Sequence, residues 1–158
     1  LGWRDAGFGD RITIDDAGRV VRTPKGEGPG SGHGPRHAYP VVVRRPEHPI
    51  VKGLPTKWLH TTDELYHGQR GPAKDMEVLV TAFSSTDQGG TGTNEPMVWT
   101  VPFGKGRVVT NVMGHTQGED LGAVQAQDFL TLLVRSAEWA ATGAVSTPVP
   151  DDFPAAVE

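Results

Sequence analysis

The 158-residue chain contains no cysteine. That excludes a disulfide framework, a thiol nucleophile and every cysteine-based zinc site, and it leaves the compartment open. No apolar run approaches the ~18 residues a membrane-spanning helix needs, so no span is expected. Nor is there a surplus of positive charge. Fifteen Lys and Arg stand against 19 Asp and Glu, for a net charge of −4 and a pI near 5.8. Nucleic acid and anionic membranes are therefore poor partners for it. Apolar residues make up only 36% of the chain, but four Trp, five Phe and two Tyr suffice for a modest core. Familiar catalytic signatures are missing too. There is no H-E-x-x-H and no G-x-S-x-G, and the glycine run at 89–93 lacks the Lys-Ser/Thr pair of a phosphate loop. No nucleotide cofactor is expected. The first residue is Leu1 and no signal peptide follows it. The expectation is a trimmed or partial chain from a cytoplasmic or exported bacterial protein.

Glycine (21) and proline (13) are abundant, together about a fifth of the residues, without a repeat period. This is the composition of a loop-rich globular chain. Residues 10–23 read as a hairpin around Asp15-Asp16-Ala17-Gly18, and 24–39 as a long loop. Residues 39–44 form a strand candidate, and 58–66 are open between helix and strand. The run 78–83 reads as a buried strand, and 96–103 with 107–113 as a second hairpin around Gly104-Lys105-Gly106. From about Asp120 to Ala141 the pattern turns helical, with Ala126, Leu130, Leu133, Ala137 and Ala140 as the expected apolar face. Gly143 and Pro148 stop it, and 146–158 reads as a Pro-rich surface tail. One helix covers one face of a sheet, whereas 78–83 is apolar on both. A larger fold or a homo-oligomer would supply the missing cover.

The chemistry-bearing residues fall in loops. His33 and His37 flank Pro35 in a glycine-rich stretch and are candidate ligands for a divalent metal, zinc or manganese. A solvated loop is the competing reading. His60, Asp63 and Glu64 place one imidazole near two carboxylates, an arrangement that fixes a tautomer and moves protons. A solvated acidic turn competes with it. His115 follows an apolar strand, where ligands bind in parallel α/β sheets. Asn94 and Glu95 end a flexible loop just before a strand, and Trp58 is a candidate stacking platform for a sugar.

Taken in order, the stretches GDRITIDDAGRVVRTPKGEGPGSGHGPRH, EHPIVKGLPTKWLHTTDELYHGQRGP, VLVTAFSSTDQGGTG, EPMVWTVPFGKGRVV and MGH resemble the ThuA-like (trehalose utilisation) family. The resemblance covers nearly the whole chain. It implies an α/β, flavodoxin-like three-layer fold of the class I glutamine-amidotransferase-like type, with a parallel sheet between helices. The chain would match the C-terminal two-thirds of the family domain, with the N-terminal βα units missing. Residues 1–145 would be the partial domain, followed by the 146–158 tail. Members of the family lack the cysteine nucleophile of that fold, as this chain does.

The resemblance implies carbohydrate metabolism, with a keto-disaccharide or keto-glycoside as small-molecule substrate. A sugar isomerase, lyase or hydrolase is the leading expectation, and a non-catalytic carbohydrate-binding or interaction module is the alternative. His115, His60, Glu64 and Glu95 are the catalytic candidates. Asp63, Asn94, Arg36 and Trp58 are candidates for substrate binding, and His33 and His37 for a metal. Two positions depart from the family pattern. Asn94 stands where a His is common, and Thr116 where an Asp is common. Each departure removes a titratable group.

Overall fold

The computed structural model describes residues 7–72 and 74–158. Strands β1 (Arg11–Ile14) and β2 (Val20–Thr23) form the expected hairpin. The Asp15 carboxylate closes its turn by accepting from the Arg19 amide at 2.9 Å. The long glycine-rich stretch is not all loop. It contains the short strand β3 (Gly32–His33), and β4 (His37–Val43) begins inside it. The open segment resolves as β5 (Lys57–Asp63) and a two-residue β6 (Tyr66–His67). Strand β7 (Glu77–Ser84) is followed by the second hairpin, β8 (Thr93–Phe103) and β9 (Gly106–Asn111).

Seven strands make one sheet in the order β2-β1-β8-β7-β4-β5, with β9 also paired to β8. Every register in it is antiparallel. This corrects the expectation of a parallel sheet for the described residues. Hairpin connections such as 15–19 and 104–105 can join only antiparallel neighbours, because a parallel crossover needs a dozen or more residues. A separate ribbon pairs β3 with β6.

The main core gathers Tyr39, Val41, Trp58, Leu79, Val80, Ala82, Met97, Val98 and Leu132 with the turn residues Ile50, Val51 and Leu54. Strand β7 shifts register between Val78 and Val80. Beyond that irregularity, Leu79 and Val80 both enter the main core, while Val78 joins Ile14 and Trp99 in a smaller cluster. The first hairpin thus supplies cover that the helix does not.

The expected single helix is two. A short α1 (Gly122–Gln125) is separated from α2 (Gln127–Thr142) by Ala126 in an extended conformation. The buried face of α2 is also not the one its apolar period indicates. Asp128, Thr131, Leu132, Arg135 and Ser136 are buried, while Leu130, Leu133 and Val134 are exposed. Two charged residues, each with several hydrogen-bond partners, outweigh the apolar stripe.

The Pro-rich tail is tied to the edge of β5. Ala156 bridges Trp58, the Val157 amide donates to the Lys57 carbonyl, and Phe153 packs edge-on against Trp58. Among the described residues no helix is long and apolar enough to cross a membrane.

Candidate functional site

Three connections converge beyond the end of β5. The β3–β6 ribbon sets His33 opposite Tyr66 and Gly32 opposite His67. Asp63, the last residue of β5, uses its carboxylate as an acceptor for three amides: Glu64 at 2.8 Å, Gly114 at 2.7 Å and His115 at 3.0 Å. The loop after β9 is thereby drawn against the end of β5. Gly114 makes the approach feasible. It has a φ of +87°, and a Cβ there would stand 2.4 Å from the Phe129 ring.

The side chains meet around Glu64. The Tyr66 hydroxyl donates to Glu64 Oε2 at 2.9 Å and lies 3.1 Å from His115 Nδ1. His33 Nε2 is 3.5 Å from Glu64 Oε2, and His115 Nε2 is 3.6 Å from Oε1. The last two separations are longer than a well-formed hydrogen bond, so neither imidazole Nε2 is engaged by the carboxylate at hydrogen-bond distance. About a third of each imidazole side chain is open, 33% for His33 and 36% for His115, whereas Glu64 is 10% exposed. An acceptor carboxylate is thus buried between two accessible proton carriers.

His60 lies below this cluster and is closed to solvent. Its Nδ1 faces Asp128 Oδ2 at 2.7 Å and its Nε2 faces Asp63 Oδ2 at 3.1 Å. Trp58 Nε1 donates to the same Asp128 oxygen at 2.8 Å. Burial of the ring pulls the His60 pKa down most strongly. The hydrogen bonds and charges of Asp128 and Asp63 together outweigh it and raise the value to about 9. Both carboxylates are affected in turn. Burial raises each, but the His60 contact and their other hydrogen bonds leave Asp63 and Asp128 below the ordinary carboxylate value. A buried imidazolium therefore joins β5 to α2 and holds the carboxylate that holds the His115 loop.

A second polar group supports the ribbon. Glu95 is fully buried. It accepts from Arg11 Nη2 at 2.8 Å, Thr91 Oγ1 at 2.6 Å and Thr93 Oγ1 at 3.1 Å on one oxygen, and from the Gly68 amide at 3.0 Å on the other. Beside it, His67 Nδ1 contacts Ser84 Oγ at 3.2 Å, and burial lowers the His67 pKa. The Ser31 hydroxyl donates to the Gly68 carbonyl.

The His33 loop packs onto the β7–β8 connection at Gly34, where a Cβ would stand 1.8 Å from the Gln88 carbonyl oxygen. Gly34→Ala is expected to force these backbones apart and to lower stability by about 1–3 kcal/mol. Thermal unfolding measures this, and an unchanged midpoint would show that the loop yields freely.

The structure thus brings His33, Glu64 and His115 together, with Asp63 and His60 directly beneath them. Glu95 lies behind the ribbon, fully buried, with both oxygens engaged by its own neighbours. The other candidates are elsewhere. Trp58 has no exposed surface and is a core residue, because a stacking platform needs an open ring face. Asn94 neighbours Glu95 on β8 and so points to the opposite face, where its amide reaches Asp16 at 3.4 Å. Arg36 pairs with Asp120 at 2.5 Å.

His37 Nδ1 contacts the Pro35 carbonyl, and His33 Nδ1 the Gly34 carbonyl, both at 2.9 Å. Each is left with Nε2 as a ligating atom. Among the described residues no group of three or more His, Asp or Glu is arranged to hold a metal ion.

Sequence reasoning missed Tyr66, His67 and Asp128. Tyr66 stood inside the quoted DELY run. Asp128 had a signal of its own, a carboxylate four residues before the buried Leu132 on the same helix face.

Fold and cluster together define a mixed α/β protein with an antiparallel sheet and a half-open carboxylate–imidazole site beyond the end of β5. The chain belongs to the ThuA family, described as trehalose utilisation, whose profile matches residues 19–140. It is similar to a ThuA-like protein of Parabacteroides merdae of known crystal structure, with 42% identity and a TM-score of 0.88 over 98% of this chain and 55% of that one. A ThuA-like protein of Bacteroides uniformis shares 25% identity, with a TM-score of 0.49 over 70% of this chain and 47% of that one. The chain spans about half the length of these solved relatives. No curated protein matches it.

Proposed function

We propose that this chain acts in carbohydrate metabolism on a keto-glycoside or keto-disaccharide, and that Glu64, His115 and His33 carry its proton transfers. The ThuA family's association with trehalose utilisation supports the substrate class. The observation that carries the chemistry is the meeting of two accessible imidazoles on one buried carboxylate, supplied by three separate segments. For the longer family domain, of which this chain spans part, a flavodoxin-like three-layer arrangement belongs to the same proposal, with family membership as its support and the antiparallel sheet described here as one portion of it.

A carbonyl at C3 of a sugar acidifies the hydrogen on the neighbouring carbon. His115 Nε2 takes that proton, and the C–H electron pair moves into the enolate. His33 then returns a proton either to the enolate oxygen, which leads to isomerisation, or to a departing glycosidic oxygen, which leads to elimination. Contacts of 3.5–3.6 Å are compatible with this, since catalytic hydrogen bonds commonly shorten when substrate binds. His60, buried with both nitrogens engaged, is assigned a positioning role in place of proton transfer.

The test is a panel of 3-keto-glycosides with the wild type and His115→Ala. The expected result is turnover by the wild type and a loss of at least ~100-fold in the variant, the size of a general-base contribution, with its unfolding midpoint unchanged. Saturable sugar binding without any product would overturn the enzyme reading in favour of a binding module.

A further inference from the structure

The Tyr66 hydroxyl contacts both working partners of the site, and nothing above gives it a task. It lies 2.9 Å from Glu64 Oε2 and 3.1 Å from His115 Nδ1, both within hydrogen-bond range. The direct path from His115 Nε2 to Glu64 Oε1 is 3.6 Å, outside it. The ring is held on both sides as well. Its centroid is 5.4 Å from that of His33 and 6.1 Å from that of His115, and its backbone is paired in the β3–β6 ribbon. A phenol in this position can donate one hydrogen bond and accept another at the same time.

We propose that Tyr66 is a positioning residue that sets the tautomer of His115 and links it to Glu64 as a proton relay. This deepens the proton-transfer reading given above and rests on it. The hydroxyl proton is committed to the Glu64 carboxylate, so its oxygen accepts from His115 Nδ1–H. The imidazole is thereby held as the Nδ1–H tautomer, with the Nε2 lone pair free to act as base.

When Nε2 gains a proton from a substrate C–H bond, Nδ1 passes its own proton to the Tyr66 oxygen. The Tyr66 proton moves to Glu64 Oε2 in the same sense. The balance is closed. One C–H bond breaks, Glu64 ends as the neutral acid, and the tyrosine is regenerated. His115 returns as a neutral imidazole with its hydrogen on Nε2. After His33 has protonated the product, reversal of the relay returns a hydrogen to His115 Nδ1, Nε2 gives up its proton to water and His33 regains one from water, so no further reactant is required. Glu64 is the terminal base although it never touches the sugar carbon.

Tyr66→Phe keeps the ring and its tilted contacts with the two imidazoles and removes only the hydroxyl. Nitrogen-15 NMR of the imidazoles reads the tautomer without any substrate. The wild type is expected to show His115 protonated on Nδ1 and bare on Nε2, and Tyr66→Phe to shift the proton toward Nε2. A wild-type His115 that is bare on Nδ1, or an identical pattern in both proteins, would overturn the proposal.

On a keto-glycoside turned over by the wild type, Tyr66→Phe is expected to lower kcat at least tenfold and to leave KM within about twofold. Equal kcat in the two proteins would overturn the relay. Glu64→Gln keeps the shape of the carboxylate but accepts no proton, and it is expected to reproduce the kcat loss while leaving the His115 tautomer on Nδ1. If no keto-glycoside is turned over by the wild type, the enzyme reading fails. The tautomer experiment still decides whether Tyr66 orients His115.

Discussion

Arg135→Met is expected to lower the free energy of unfolding by about 3–5 kcal/mol, because several carbonyls lose their charged donor. Arg135 is 4% exposed and has no carboxylate partner in its hydrogen-bond set. Its guanidinium instead donates to the carbonyls of Ile50 at 2.7 Å, Pro49 at 2.8 Å, Lys52 at 2.7 Å and Thr147 at 2.8 Å. The first three belong to the turn between β4 and β5, which supplies Ile50, Val51 and Leu54 to the core. The fourth lies in the chain that follows α2. One side chain therefore secures a turn that has no regular structure of its own.

Methionine matches the length but leaves these carbonyls without a donor, and each buried unpaired group costs about 1–3 kcal/mol. Recovered desolvation of the guanidinium and water entry offset part of that sum. Arg135→Lys should recover little, since an ammonium lacks the planar fork that serves several carbonyls at once. Denaturant unfolding measures both variants. A loss below about 1 kcal/mol for Arg135→Met would mean that the turn is held by its apolar residues alone.

The second large effect is expected at Asp128, where replacement by Asn removes one of the two charges that hold His60 protonated. The contact to Trp58 Nε1 can survive on the amide oxygen, so the variant isolates the charge. A loss of about 3–4 kcal/mol at neutral pH is expected, at the lower end of the range for breaking a buried ion pair. The pH dependence identifies the cause. In the wild type the folded His60 pKa is raised to about 9 from the ordinary 6.5. Its stabilisation is complete below the unfolded value and disappears as pH rises through the folded one.

For a shift of this size the contribution is on the order of 3 kcal/mol. Wild-type stability should therefore fall between about pH 6.5 and pH 9, and Asp128→Asn should flatten that slope. The two lowered carboxylates act on the acid side, where their stabilisation is lost as pH falls below the ordinary carboxylate value. Denaturant curves at intervals from pH 6 to 10 test this. Parallel profiles for the two proteins would show that His60 is not the titrating group. Because Asp63 also holds the amides of Gly114 and His115, the same variant should loosen the His115 loop.

Much of the fold was legible in local pattern. Both hairpins follow from turn residues between β-branched runs, and 78–83 is a strand, as its short apolar run bounded by turns indicated. The direction of pairing was not legible. The family resemblance pointed to a parallel sheet, and the described strands are all antiparallel, as their short connections require. Of the site, Glu64, His33 and His115 were found as residue types in polar loops. Tyr66 was not assigned a role, because an aromatic beside a Leu reads as core until its hydroxyl is seen between a carboxylate and an imidazole.

By itself the sequence determined that α2 is a helix, that Gly143 ends it, and that its Leu and Ala residues form a stripe, since these depend on neighbours within a few positions. Only the tertiary structure decided which side of that helix is buried. The partners of Asp128 and Arg135 lie as far as 70 and 86 residues away. A charged side chain enters a core only when such partners are complete, and no local pattern records whether they are. The same holds for His60, which sequence reads as a proton carrier beside two carboxylates. The fold makes it the buried cation that keeps the His115 loop in place.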